Sequence, residues 1–336
     1  MDRRSFIGRG LALAGAAAIT PVAAPYVRAQ GATKITVLVG TAPPDPACHF
    51  YYYARENGYY RDAGLDVDIK PIAAETTALR GLIAGEGDVA WVGAISTLQA
   101  ITSGSRVKVV SVFTPKLDYI VVGQKEVPSL KGFEDRSFAV SQVGAVSQIV
   151  PLLMIDQAGG EPKKVQWLAV GGSAARVQAL IAKRVQGAAL NSAFAARALH
   201  YDYLHELGDA IKVIPDFLYA WDVANPSSLQ QKKTALDAFV VATARATRWA
   251  TSNPSPAADI SKKILPDQPP AELEAGVADF AKKRFLSPTG EVTPRAWNFT
   301  VQAIQKIGIL QQAPRYDDVV AKEFAEMVSV KLGPAP

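Results

Sequence analysis

The sequence predicts an α/β protein of two lobes, two α/β domains joined by two crossover segments with helices at the C-terminal end. Three observations carry that prediction. Residues 75–104 read as helix, tight turn, buried strand, glycine-bearing loop and second helix, which is one complete α/β unit. A fresh strand and helix series opens near residue 137 with a period of about thirty residues, which suits βαβ units. From residue 227 onward the apolar spacing is helical to the end. Two such lobes leave a cleft between them, and the loops at the carboxyl ends of the parallel strands face it.

Composition fits this reading and removes others. With 336 residues, 49% hydrophobic and 20% charged, the chain is globular and large enough for two domains, neither disordered nor fibrous. Its formal charge is +5, but Arg3, Arg4, Arg9 and Arg28 against Asp2 place +3 of that in residues 1–29, leaving +2. No Lys/Arg cluster with interleaved aromatics follows, so a nucleic-acid partner is not expected.

Residues 1–29 read as a cleaved twin-arginine signal peptide. Asp2-Arg3-Arg4-Ser5-Phe6-Ile7 precedes an apolar run at 11–19 and a small-residue site at Val27-Arg28-Ala29. Asp2 stands where Ser or Thr is usual, and Gly8 where Lys is common. The run is too short to span roughly 30 Å of bilayer, so the expectation is cleavage before Gln30 and a soluble periplasmic protein. The twin-arginine export machinery is then a partner.

Cys48 is the only cysteine, which excludes an internal disulfide and a cysteine-based zinc site. His200 and His205 are five apart and do not share a helical face. No metal and no cofactor is expected.

Taken in order, residues 34–39 read as the first strand, and Ala42-Pro43-Pro44-Asp45-Pro46 holds the next segment off regular structure. A helix follows at about 47–57. Its four consecutive aromatics, Phe50, Tyr51, Tyr52 and Tyr53, cannot all face one way, so at least one is expected at a pocket mouth. A second strand alternates over 65–69. Leu79, Leu82 and Ile83 recur at helical spacing and stop at Gly85-Glu86-Gly87-Asp88, where glycine can end a helix. The strand at 89–92 is apolar on both faces and runs into Gly93-Ala94 before Ile95-Ser96-Thr97 opens a helix. Residues 107–113 and 119–123 are β-rich, and 125–128 reads as a crossover. Strands at 137–141, 165–170 and 187–190 then alternate with helices at 147–158 and 174–183. Residues 212–215 read as the return strand, and the longest later helix carries Leu236, Phe239, Val240 and Thr243 on one face. These boundaries give lobe 1 as 30–124 and 216–336, and lobe 2 as 125–215.

The run from Tyr53 to Val67, YARENGYYRDAGLDV, resembles the opening of the type II periplasmic solute-binding proteins of nitrate, sulfonate, taurine and pyrimidine-precursor ABC importers. Gly85-Glu86-Gly87-Asp88-Val89 resembles that family's helix-to-strand turn, and Leu130-Lys131-Gly132 with Phe138-Ala139-Val140 its entry to the second domain. Gly171-Gly172-Ser173 and the stretch 180–188 repeat the turn pattern, so the resemblance covers residues 34–250. It implies the type II periplasmic binding protein fold and a monomer that captures a small organic anion or heterocycle. It also implies an ABC permease and ATPase as the partners that receive the solute.

The candidate ligand-binding residues lie on the loops at strand carboxyl ends. They are Thr41, Asp45 and His49, then Gly93, Ala94 and Ser96, then Ser141, Gln142, Gly144 and Ser147, with Ser173, Asn191 and Ser192, and finally Tyr219 and Trp221. Their chemistry is that of binding: neutral donors and acceptors, and glycines that let backbone amides approach a ligand. Gly93-Ala94-Ile95-Ser96 and the loop 143–147 each precede a helix, so both are expected to aim free amides at an anionic head group, held without a buried arginine. Ser147 or Ser173 would equally serve as a helix cap, and Tyr219 and Trp221 either stack on a planar ligand or cover the hinge.

A rival reading is an enzyme on the same fold. The resembling desulfinases carry a cysteine nucleophile on the first loop, near the place of Cys48-His49. Cys48 lies three residues beyond the aligned position, where this chain has Asp45, and no histidine occurs from 50 through 199 to serve as partner. The cysteine-rich motif of the resembling pyrimidine synthases is absent. A binding protein, not an enzyme, is therefore expected.

Overall fold

The computed structural model describes residues 32–335. The signal peptide and its cleavage site lie outside the described residues.

The first sheet contains β1 (Thr33–Val39), β2 (Leu65–Pro71), β3 (Val89–Gly93) and β4 (Lys108–Thr114). The second contains β5 (Ile120–Gln124), β6 (Ser137–Val140), β7 (Gln166–Ala169), β8 (Gly187–Leu190) and β9 (Leu204–Asp209). A tenth strand, β10 (Ala220–Ala224), returns to the first sheet. The strand orders are β2-β1-β3-β10-β4 and β7-β6-β8-β5-β9. In each sheet three parallel strands are followed by an antiparallel one, β10 or β5, that a crossover delivers between the parallel set and the edge.

The helices of the first half are α1 (Phe50–Glu56), α2 (Tyr59–Asp62), α3 (Glu75–Ile83) and α4 (Ala94–Thr102). Those of the second are α5 (Val146–Gln157), α6 (Ser173–Ile181), α7 (Ser192–Ala198) and α8 (Ala210–Val213). The C-terminal part adds α9 (Pro226–Gln231), α10 (Lys233–Ser252), α11 (Pro254–Ile264), α12 (Pro270–Lys282), α13 (Pro294–Lys306), α14 (Tyr316–Val319) and α15 (Glu323–Leu332). This is the two-lobed α/β architecture read from the sequence. β3 is buried along its whole length, as its two apolar faces require, and α10 buries Leu236, Phe239, Val240 and Thr243 together.

Three expectations are corrected. β5 pairs only within the second sheet, so the chain leaves the first sheet between Thr114 and Ile120 and not after Gln124. Residues 212–215 do not form the return strand. Asp209 caps the short helix α8 by accepting from the amide of Ile211 at 3.0 Å, and the return is β10. All four aromatics of α1 are buried, because the helix is enclosed on both sides. Phe50 packs on Phe113 of β4, with ring centres 5.6 Å apart, while Tyr51 and Tyr60 stack on Phe239 of α10. The Tyr51 and Ser111 hydroxyls donate to the fully buried carboxylate of Asp222, whose pKa burial pushes up to about 7.

Candidate functional site

The two sheets meet at their carboxyl edges through the crossovers. Tyr119 precedes β5 and its carbonyl accepts from the amide of Ala210 at 2.9 Å. Tyr219 precedes β10; its amide donates to Pro115 at 3.1 Å and its carbonyl accepts from Ala94, the first residue of α4, at 2.9 Å. Both tyrosines are half-buried, one at the carboxyl edge of each sheet.

On the first wall, Gly93 is the N-cap of α4 and offers no side chain to its free amides. The carboxylate of Glu75, the first residue of α3, lies beside that N-cap, and the amide of Ala94 is taken by the Tyr219 carbonyl. Ser96 Oγ donates to Glu75 Oε2 at 2.8 Å, and a Cβ on Gly93 would stand 2.8 Å from the same oxygen. A Cβ on Gly40 would stand 2.9 Å from the Glu75 Cα, so both glycines make room for this residue. Burial raises the pKa of Glu75, opposed by its bonds to Ser96 and Gly93. A carboxylate of the protein itself thus stands beside the Gly93 to Ser96 turn, bonded to the Ser96 hydroxyl. Asp45 stands on the same side, accepting from the amide of Ala47 at 2.8 Å, its pKa also raised by burial. Thr41 is half-buried and donates to the carbonyl of Pro43. Gly93 and Ala94 are buried backbone, with Ser96 half-buried beside them.

The second wall is built differently. Ser147 Oγ accepts from the amide of Ser141 at 2.8 Å and bonds its hydroxyl at 2.7 Å, so Ser147 fastens the β6 loop to α5 and does not cap its own helix. Gln142 is exposed. Gly144 has φ of 84° with open space around it, so the backbone angle already calls for glycine there. Arg176, in the first turn of α6, is 2% exposed. Its guanidinium donates to the carbonyls of Ala189 at 3.1 Å and Gly171 at 2.8 Å, and to Ser173 Oγ at 2.9 Å. Ser173 in turn donates to Asn191 Oδ1 at 2.9 Å. No carboxylate lies within 4.0 Å of Arg176 among the described residues. The second wall, expected to lack a buried arginine, carries one.

Asp118, between the walls, accepts from the amide and hydroxyl of Ser192, the latter at 3.1 Å, and burial pushes its pKa up to about 6. Tyr119 feels both walls. Burial pushes its pKa up to about 12, with Arg176 lowering it and Asp45, Asp118 and Glu75 adding to the rise.

A family model described as "NMT1/THI5 like" matches residues 45–257, more than half of the chain. The chain belongs to the NMT1/THI5-like family. It is similar to YtlA of Bacillus subtilis (strain 168), 21% identical over 303 residues that cover 83% of this chain and 85% of that protein. Among solved structures it resembles the periplasmic aliphatic sulphonate binding protein SsuA of Escherichia coli, with a TM-score of 0.69 and 14% identity over 85% of this chain and 91% of that one. It also resembles the periplasmic nitrate-binding protein NrtA of Synechocystis PCC 6803, with a TM-score of 0.66 and 13% identity over 89% of each chain. A third is the ligand binding component of an ABC-type import system of Staphylococcus aureus, with a TM-score of 0.68 and 17% identity over 88% of this chain and 98% of that one. At these identities the likeness establishes the fold.

Against this NMT1/THI5-like frame, two expected site residues turn away from the cleft. His49 is fully buried, its Nδ1 sharing a hydrogen bond with Ser261 Oγ at 2.9 Å, and burial pushes its pKa down to about 4. Trp221 is fully buried and stacks on Trp297 at 5.8 Å. Cys48 is buried too, its thiol donating to the Asp45 carbonyl at 3.0 Å and held well above its ordinary pKa by burial. A groove of about 510 Å³ between α7 and α12 meets the expected set only at Ser192. Among the described residues no group of three or more His, Cys, Asp or Glu side chains is placed to hold a metal.

Glu75, Asp118, Tyr119 and Arg176 were not in the expected set. Arg176 had a readable signal, a lone charge beside Val177 and four residues before Leu180 on the apolar face of α6. Glu75 had none, since its role depends on two glycines of other segments.

Proposed function

We propose that this chain is the solute-binding component of an ABC importer, capturing a small organic anion or heterocycle in the cleft and handing it to a permease and ATPase. The observation that carries this reading is the buried Arg176 at the carboxyl edge of the second sheet, a charge without a counter-charge in a family whose likenesses in fold include sulphonate and nitrate binders. The chain would reach the periplasm through the twin-arginine machinery, lose residues 1–29 and act as a monomer of two lobes. Closure of the lobes would complete the site, since Tyr119 and Tyr219 sit on the segments that join them.

A screen of organic anions and heterocycles against the mature chain, followed by melting temperature, tests this. A true solute at a hundred times its Kd adds about 2.7 kcal/mol and so raises the melting temperature by several degrees. The Cys48→Ala variant should bind it within a few fold of the parent and leave it chemically unaltered. Turnover lost in Cys48→Ala would favour the enzyme reading instead. Intact-mass analysis of the exported protein should give a chain starting at Gln30; retention of residues 1–29 in membranes would overturn the export proposal.

A further inference from the structure

We propose that the solute is a zwitterion, its acidic group held by Arg176 and its protonated nitrogen by Glu75, with Tyr119 and Tyr219 against its body. This rests on the cleft being the solute site.

The argument is one of charge balance. Arg176 makes three hydrogen bonds, all to neutral oxygens, and two of the five N–H groups of a guanidinium remain. A guanidinium that is 2% exposed with no carboxylate within reach among the described residues lacks the partner that buried charges ordinarily have. A carboxylate or sulfonate entering the cleft supplies it, and the planar fork suits two parallel bonds to such a group. Nothing on this wall blocks it: Gly172, the N-cap of α6, makes no side-chain cap, and no atom outside its immediate neighbours lies within 4 Å of where its Cβ would stand.

The first wall excludes the same group. The Glu75 carboxylate stands beside Gly93 and holds the Ser96 hydroxyl, and Asp45 lies on the same side, so a second anion there would meet like charge. Neither acid has a Lys, Arg or His partner within 4.0 Å among the described residues. A simple anion would satisfy Arg176 and leave Glu75 unpaired; a simple cation would do the reverse. One molecule bearing both charges satisfies both walls, and Tyr119 and Tyr219, half-buried at the carboxyl edges of the two sheets, flank its body. Tyr219 accepts from the Ala94 amide and meets Trp91 edge-on at 6.1 Å, which puts its ring on the side of the first wall.

The test uses matched sets of small compounds on the mature chain: 4-(aminomethyl)benzoate, 4-methylbenzoate and benzylamine, with the corresponding aminoalkyl sulfonate, alkyl sulfonate and alkylamine. In at least one set the zwitterion should bind tenfold or more tightly than either singly charged analogue by calorimetric titration. Arg176→Gln and Arg176→Lys should each weaken it at least tenfold. Glu75→Gln, which keeps an acceptor for Ser96, should bring the zwitterion and its anionic analogue to equal affinity. Melting temperatures without ligand identify any variant that fails to fold, and the Glu75→Gln discrimination ratio is then the deciding measurement. Binding of anions alone, or discrimination unchanged in Glu75→Gln, overturns the zwitterion while leaving a solute-binding protein. No binding in any charge class overturns the solute-binding reading as well.

Discussion

The two walls of the cleft share one strand order and opposite chemistry. On the first, Glu75 stands beside the helix end at Gly93, bonded to Ser96, with Asp45 on the same side. On the second, the helix end at Gly172 stays open and Arg176 adds a positive charge beside it. The fold therefore places similar loops in both lobes, and one side chain on each sets the charge of that wall. The glycines differ in the same way. Gly40 and Gly93 leave space for Glu75, whereas Gly144 satisfies a backbone angle.

The largest expected effect lies at the joint between the walls. The folded-state pKa of Asp118 is raised to about 6, so its contribution to stability is complete below about pH 4 and is lost as pH rises toward 6. Asp118→Asn should match the parent near pH 4 and exceed it at pH 7 by up to roughly 3 kcal/mol in urea unfolding. A variant less stable at pH 7 would mean that Ser192 needs the ionised carboxylate. His49, lowered to about 4, works in the opposite direction over the same range, so the difference between variant and parent isolates Asp118.

Next come the glycines. In Gly40→Ala the new Cβ meets backbone, the Glu75 Cα at 2.9 Å and the Trp91 carbonyl at 3.1 Å, and should cost about 1–3 kcal/mol. Gly144→Ala meets no atom within 4 Å but must hold φ of 84°, at about 1–2 kcal/mol. Gly93→Ala meets only the mobile end of the Glu75 side chain, so the cost in stability should fall below about 1 kcal/mol. That variant should still lose discrimination between charge classes, because the carboxylate is pushed aside. A Gly93→Ala cost as large as that of Gly40→Ala, or unchanged selectivity in Gly93→Ala, would erase the distinction between contact with backbone and contact with the Glu75 side chain.

The local order of this protein was legible in the sequence. The stop of the α3 pattern at Gly85-Glu86-Gly87-Asp88, the two-faced apolar run of β3 and the buried stripe of α10 each follow from periodicities contained within one segment. The loops that follow β1, β3, β6, β7 and β8 could be placed too, because parallel strands run into them at one edge of each sheet. Four tyrosine and phenylalanine rings in a row were visible, but their burial on all sides required α10 and α11 to close over α1. The membership of β5 in the second sheet, the buried stack of Trp221 on Trp297 and the meeting of Glu75 with Gly40 and Gly93 were decided only by tertiary structure. The charge of each wall was decided there too. A carboxylate or guanidinium in the sequence has a sign but no neighbour, and which groups it meets depends on segments far away in the chain that only folding brings beside it.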